Sequence, residues 1–290
     1  MLKNNNIYNK TLLNNYNLIY KNINFSNNLK KNLIVNYNKD RNLNICIVLH
    51  FFHFELFAEF CIYLKNIIDH FEKTVIIISL PKINKESDFY KFKFKKVFNK
   101  NIIYFIDNIN FGTDINPFLL SLKLIKDKKI NVDYILKIHT KVSNPDWRKG
   151  LIINITKKEF LNDLEIVFKS KNIGFIASDY RIVENDNNVY IDTNYLGLKY
   201  FSKIFNIKDG ENFKNFVGGT MFWINYECLQ FINDDMINYL QIGFSYGKPE
   251  PNHISKKIHN EYIAERLLTG TFTKNNLNIT INNYGYFDIV

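Results

Sequence analysis

Five short clusters of polar residues and glycines interrupt the apolar runs of this chain, and each carries a distinct chemistry. His139-Thr140-Lys141 sets an imidazole, a hydroxyl and an ammonium in succession, and donors of these types neutralise phosphate oxygens without a metal ion. Asn110-Phe111-Gly112-Thr113-Asp114 joins turn-forming residues to a carboxylate just ahead of Pro117. Gly218-Gly219-Thr220 leaves the backbone open on the approach to Trp223, a candidate stacking face for a sugar ring. Glu261 and Glu265 stand one helical turn apart on a common face, and a carboxylate so placed can take a proton from a hydroxyl. His50-Phe51-Phe52-His53-Phe54-Glu55 holds two imidazoles and an acid, but two histidines at that spacing off a strand end are weak evidence of metal ligation.

Each cluster has a structural alternative. The Asn110 to Asp114 run reads equally as a turn with a helix cap, and His139 to Lys141 as a solvated strand end. Trp223 could close a core strand, and Glu265 beside Arg266 could be a surface ion pair.

The elements that must hold these residues alternate between strands and helices. Ile45-Cys46-Ile47-Val48-Leu49, Thr74 to Leu80, Asn101 to Ile106 and Tyr134 to Ile138 are short apolar runs of the kind buried on both faces of a parallel sheet. Helices are expected from about Glu55 to Phe71 and from Pro117 onward, since proline suits a first helical turn. Further on, the pattern gives a helix near Lys157 to Lys169, strands at Ile173 to Ala177 and Met221 to Ile224, a helix over Glu261 to Leu268, and late strands at Leu277 to Ile281 and Tyr284 to Val290. Asn185-Asp186-Asn187-Asn188 reads as a turn or loop. This is an α/β chain with a mainly parallel, Rossmann-like sheet flanked by helices. Ligands of such sheets collect at the carboxyl ends of the strands, where His50, Asn110 to Asp114 and His139 to Lys141 all fall.

Composition bounds the remaining possibilities. The 290 residues carry a net charge of +10, with 38 basic and 28 acidic side chains. An anionic partner is one reading and a Lys- and Asn-rich compositional bias the other; nucleic-acid binding is disfavoured because the lysines are dispersed. Lys91, Lys93, Lys95 and Lys96, interleaved with Phe92 and Phe94, read as an edge strand or an amphipathic element. Three widely spaced cysteines fit reduced thiols. Residues 1–44, rich in Asn and Lys, read as an extension with a weak helical pattern around Leu12 to Ile19, ahead of one globular domain over 45–290. With no apolar run of membrane-spanning length and no signal core after Met1, the expectation is a cytoplasmic protein, with peripheral membrane association left open.

Taken in order, these motifs resemble the rhamnan synthesis F family of bacterial polysaccharide glycosyltransferases. The likeness covers residues 45 to 270: His50 with its aromatics; Asn110, Gly112, Asp114, Pro117 and Phe118; Asp133, Tyr134, Leu136, Lys137, His139, Thr140 and Lys141; Trp147-Arg148; Gly219 to Trp223; and Glu265-Arg266-Leu267. The resemblance implies a GT-A-like fold and transfer of a hexose, rhamnose by the family name, from a nucleotide-sugar donor to a glycan or lipid-linked glycan. It places His50, Asn110, Gly112, Asp114, His139, Thr140 and Lys141 at the donor. Gly219, Thr220 and Trp223 fall at the acceptor, with Glu265, or Glu261, as the base. GT-A enzymes commonly carry an Asp-x-Asp that holds manganese or magnesium where this chain has His139-Thr140-Lys141, so a metal-independent site is the preferred reading. The family tends to carry an acid before the late helix, where this chain has Lys257-Ile258-His259-Asn260. That departure puts the base in doubt, makes Asp179 the next candidate, and motivates the alternative of an inactive carbohydrate-binding domain.

Overall fold

The computed structural model describes residues 26, 29, 32, 42–82, 85–169, 173–184, 194–247 and 259–290. The expected helix around Leu12 to Ile19, the loop at Asn185 to Asn188, and Lys257 and Ile258 lie outside them. The protein is an α/β structure built on an eight-stranded sheet of order β10-β9-β5-β8-β4-β1-β2-β3, with helices on both faces. Strands β1 (Asn44–His50), β2 (Lys73–Pro81), β3 (Ile102–Asn108) and β4 (Tyr134–His139) form a continuous parallel half. Strand β8 (Phe222–Asn225) inserts antiparallel between β4 and β5 (Ile173–Ser178), and β9 (Leu277–Ile281) returns parallel to β5. Strand β10 (Phe287–Ile289) closes one edge antiparallel, and β6 (Ile182–Glu184) pairs with β7 (Asn215–Val217) in a separate ribbon.

The β1–β4 half follows from its sequence. Runs such as Val75 to Leu80 are rich in β-branched and apolar residues on both sides, so β1, β2 and β4 bury both faces, while the edge strand β3 stays largely half-exposed. One face is covered by α1 (Phe57–His70), α2 (Lys85–Val97), α4 (Pro145–Thr156) and α5 (Leu161–Phe168). The other is covered by α3 (Ile115–Asp127), α6 (Asn194–Ile204), α7 (Asp234–Ile242) and α8 (Asn260–Arg266). Side chains alternate across a strand, so Ile45, Ile47 and Leu49 enter the first core, and Cys46 and Val48 the second.

Three expectations need adjustment. The Lys- and Phe-interleaved stretch is helix α2, not an edge strand: Phe94 is buried edge-on against Phe51, while Phe92 faces outward. Helices α4, α6 and α7 are elements that the sequence reading does not anticipate. Within the expected extension, Ser26 donates its amide to the Phe287 carbonyl at 3.0 Å, and Leu29 is fully buried in the first core.

Candidate active site

Strand parity decides which face the site occupies. His50 continues the side of Cys46 and Val48, and Lys137 and His139 share the side of Ile135, so all three point toward α3 at the carboxyl edge of the sheet. His50 and His139 are paired in register on adjacent strands.

The loop from β3 into α3 supplies the acid. Asn110, Gly112 and Thr113 have φ values of 55°, 66° and 51°, a left-handed run that costs energy at the non-glycine positions. A Cβ on Gly112 would lie 2.4 Å from the Phe244 ring, and the Gly112 amide donates to the Ser245 carbonyl at 2.8 Å. Asp114 occupies the N-cap position of α3 without making a side-chain cap bond. Its carboxylate instead accepts from the Lys137 ammonium and the Thr220 hydroxyl. Lys137, 1% exposed in the middle of β4, donates also to the Thr220 carbonyl and hydroxyl oxygen, each at 2.9 Å. Its three acceptors match the three protons of an ammonium, and Thr220 takes a φ of 55° to present two of them.

Burial and this cluster together set the surrounding protonation states. Burial works against ionisation of Asp114, but Lys137, His139 and the hydrogen bonds from Lys137 and Thr220 outweigh it and hold the carboxyl well below the usual range. Burial pulls Lys137 downward, and Asp114 opposes it. His50 is lowered to about 4 and His139 to about 3, chiefly by burial. Both rings are therefore neutral at physiological pH, and His139 adds no cationic charge. His50 Nδ1 lies 2.7 Å from the Ser79 hydroxyl. His139 Nδ1 is 3.5 Å from Asp114 and has no hydrogen-bond partner among the described residues.

Glu265 joins the cluster from α8. Its carboxylate accepts from the Gly219 amide at 2.7 Å and lies 3.9 Å from the Arg266 guanidinium. Burial raises its pKa, with Arg266 and the Gly219 bond opposing and Asp114 reinforcing. Glu261, one turn earlier, is 3% exposed and accepts from the Ser245 amide at 2.5 Å. It anchors the segment that braces Gly112, and its second oxygen is buried with no hydrogen-bond partner among the described residues.

Other expected site residues have different tasks. Thr140 is buried, and its hydroxyl accepts from the Phe52 and His53 amides at 2.9 Å, clamping the chain that leaves β1. Thr220 has its hydroxyl committed to Lys137 and Asp114, so it has no free hydroxyl to offer an acceptor. Trp223 is fully buried on the opposite face, packs on Phe168, and donates to the Ile155 carbonyl; its strand parity puts it in the first core, where it cannot stack on a sugar. Asn110 is exposed, and its carbonyl accepts from Gly247. Asp179 is exposed after β5.

Two participants stood in the sequence reading as motif residues without a role. Lys137 is one, the buried partner of Asp114. Trp147, at the start of α4, carries Lys141 Nζ 3.7 Å and Arg181 Cζ 5.4 Å from its ring centre. Arg148 positions this rim: it forms a bidentate pair with Glu59 at 3.0 and 2.9 Å and donates to the Lys141 carbonyl.

Among the described residues, the donor set does not suit a resident divalent cation. The Asp114 carboxylate already faces a buried ammonium, which would repel a metal. No group of three or more His, Cys, Asp or Glu side chains among the described residues has the arrangement to hold one.

The sequence matches no protein-family model and no curated protein, so its likeness to the rhamnan synthesis F family rests on the motif residues alone. Solved structures of similar chain path include the mannosyltransferase PcManGT from Pyrobaculum calidifontis in complex with GDP-Man and Mn2+, at 7% identity and a TM-score of 0.40. That alignment covers 67% of this chain and 48% of the other, so this chain spans about half its length. The mannosyltransferase Ktr4p from S. cerevisiae aligns at 10% identity over 92% of this chain and 76% of its own, with a TM-score of 0.40. Ktr4p in complex with GDP aligns over the same shares at 10% identity and a TM-score of 0.37.

Proposed function

We propose that this protein is a nucleotide-sugar-dependent glycosyltransferase. It moves a hexose, rhamnose by the motif resemblance, onto a glycan or lipid-linked glycan without a resident metal. Glu265 carries the reading: a buried carboxylate with a raised pKa, fixed on the Gly219 amide beside the Asp114–Lys137 pair at the carboxyl edge of the sheet. A carboxylate tuned upward is a better proton acceptor near neutral pH.

In the proposed reaction the acceptor hydroxyl gives its proton to Glu265 as its oxygen attacks the anomeric carbon. The bond from that carbon to the diphosphate oxygen breaks, and the nucleoside diphosphate leaves with the electron pair. Lys141 neutralises the leaving charge, while His50 and His139 offer neutral ring nitrogens. The Asp114–Lys137 pair shapes the field and holds Thr220. Action at the cytoplasmic membrane surface, where a lipid-linked acceptor would lie, belongs to the same proposal.

Incubating the purified protein with a panel of nucleotide sugars, including dTDP-rhamnose, UDP-glucose and GDP-mannose, tests the reading by release of the nucleoside diphosphate. Release with at least one donor, unchanged by chelator, is expected. Absence of both binding and release would favour the inactive carbohydrate-binding alternative. Turnover abolished by chelator and restored by manganese would place a cation on a carboxylate such as Asp114.

A further inference from the structure

The lysine- and phenylalanine-interleaved helix α2 contributes no residue to the site described above. It carries its two acids, Glu86 and Asp88, in its first turn, where they suit the helix dipole. From Phe89 to Val97 it has four lysines, Lys91, Lys93, Lys95 and Lys96, and no acid. Lys91 is drawn aside to Asp107 of β3 at 2.8 Å and to Asp88 at 3.6 Å. Lys95 and Lys96 are exposed, and Lys93 is half-buried.

The aromatic side chains of α2 divide between two surroundings. Phe94 is buried against Phe51 and Phe57, with ring centres 5.1 and 4.9 Å away, and Tyr90 stacks on Phe54 at 4.6 Å. The Ser87 hydroxyl donates to the Pro81 carbonyl at 2.7 Å, which fastens the start of the helix to the end of β2. Phe89 and Phe92 point outward instead, 51% and 63% exposed, although phenylalanine is among the side chains most often found inside. Positions three, four and seven apart share a helix face, so Phe89, Phe92 and Lys96 lie together, with Lys93 and Lys95 at their flanks. Lys93 Nζ stands 4.4 Å from the Phe89 ring centre.

Exposed rings within a basic fringe are what a helix lying in a bilayer surface requires. The rings enter the boundary of the acyl chains, while the lysine stems follow them and leave the ammonium groups at the phosphates. The 13 residues of α2 extend about 20 Å. A hydrocarbon core of about 30 Å is too thick for such a helix to cross, so it lies along the surface.

We propose that α2 is the face by which this protein binds an anionic phospholipid membrane, with Phe89 and Phe92 entering the interface and Lys93, Lys95 and Lys96 against lipid phosphates. This rests on the membrane location in the proposed function, whose contact surface it names, and needs none of the transfer chemistry.

The test is flotation of the full chain with vesicles of phosphatidylcholine alone and of phosphatidylcholine mixed in equal parts with phosphatidylglycerol. Binding to the mixed vesicles, weakened by added salt, is expected. Lys95→Ala with Lys96→Ala should weaken it about thirtyfold, from about fivefold per lysine at an anionic surface. Phe89→Gln with Phe92→Gln should weaken it about tenfold through the lost apolar contact. Lys199→Ala with Lys203→Ala, an exposed pair on α6, removes the same charge elsewhere and should change binding less than about threefold. Thermal unfolding should confirm that every variant remains folded. Equal losses from the two lysine pairs would mean that net charge alone attracts the protein, and would overturn the contact. Parental binding in both α2 variants, or a parent that ignores the mixed vesicles, would overturn it as well. So would loss of single-stranded oligonucleotide binding in the α2 variants with vesicle binding intact, which would assign the face to nucleic acid. Nucleoside diphosphate release from nucleotide sugars, measured on the same samples, separates the two readings. Release without vesicle binding removes only the α2 contact, and vesicle binding through α2 without release removes only the transferase.

Discussion

Lys137 and Lys141 are four residues apart on β4 and its exit, yet they stand in opposite electrostatic settings. Lys137 is 1% exposed, and three oxygens of Asp114 and Thr220 surround its ammonium. Lys141 reaches a half-buried rim, where its ammonium lies 3.7 Å from the centre of the Trp147 indole and Arg181 Cζ lies 5.4 Å from the same ring. The inner charge is matched within the protein, because an unmatched ammonium at that depth would cost several kcal/mol. The outer charges stand at a half-buried to exposed rim, where solvent screens them. Buried matched charge therefore shapes the interior of this site, and the rim charges lie nearer to water.

The largest effect is expected where the two regions meet. Glu265→Gln retains an oxygen for the Gly219 amide but not the basic carboxylate, so turnover should fall about 10²–10⁴-fold with diphosphate binding intact. Steady-state kinetics paired with calorimetry would show this; parental turnover in the variant would move the base to Glu261 and, if Glu261→Gln is also parental, to Asp179.

In the inner region, Lys137→Met leaves the Asp114 carboxylate buried without its ammonium. Denaturant unfolding should record a loss of about 3–5 kcal/mol. Adding Asp114→Asn to the same chain should restore part of it, and a double variant no more stable than Lys137→Met would show that the pair is not a coupled unit.

At the rim, Lys141→Ala should leave the unfolding midpoint close to the parent and weaken nucleoside diphosphate binding by about 1.5–3 kcal/mol. A large stability loss with unchanged affinity would reverse the comparison.

The smallest effect per step is the pH dependence of stability. His50 and His139 have folded pKa values lowered to about 4 and about 3, so the unfolded chain binds protons that the native state refuses. Their contribution is intact above the unfolded value near 6.5 and is lost as pH falls toward 4 and then 3, at up to about 1.4 kcal/mol per pH unit for each ring. Asp114, whose folded pKa is also depressed, adds to the loss only below the usual carboxylate range. His50→Gln with His139→Gln should flatten the segment between pH 6 and 4 in denaturation measured across pH. An unchanged slope would mean that the rings titrate normally.

Much of this was legible in the chain itself. Short β-branched runs bounded by turns announced β1 to β5, and their exits located His50, Asp114 and His139 at one edge, because a parallel sheet gathers its strand ends. Local patterning could not place residues that meet through distant parts of the chain. Thr220 binds Asp114 across 106 residues of separation, brought there by an antiparallel strand inserted between β4 and β5. The same insertion fixes the parity of β8, which sends Trp223 into the first core. Residue types and spacing determined which groups were available and at which strand ends they lie. Only the tertiary structure decided which face each side chain enters and which charge is matched. A one-residue change in strand parity exchanges the two sides of a sheet, and nothing in local hydropathy records that choice.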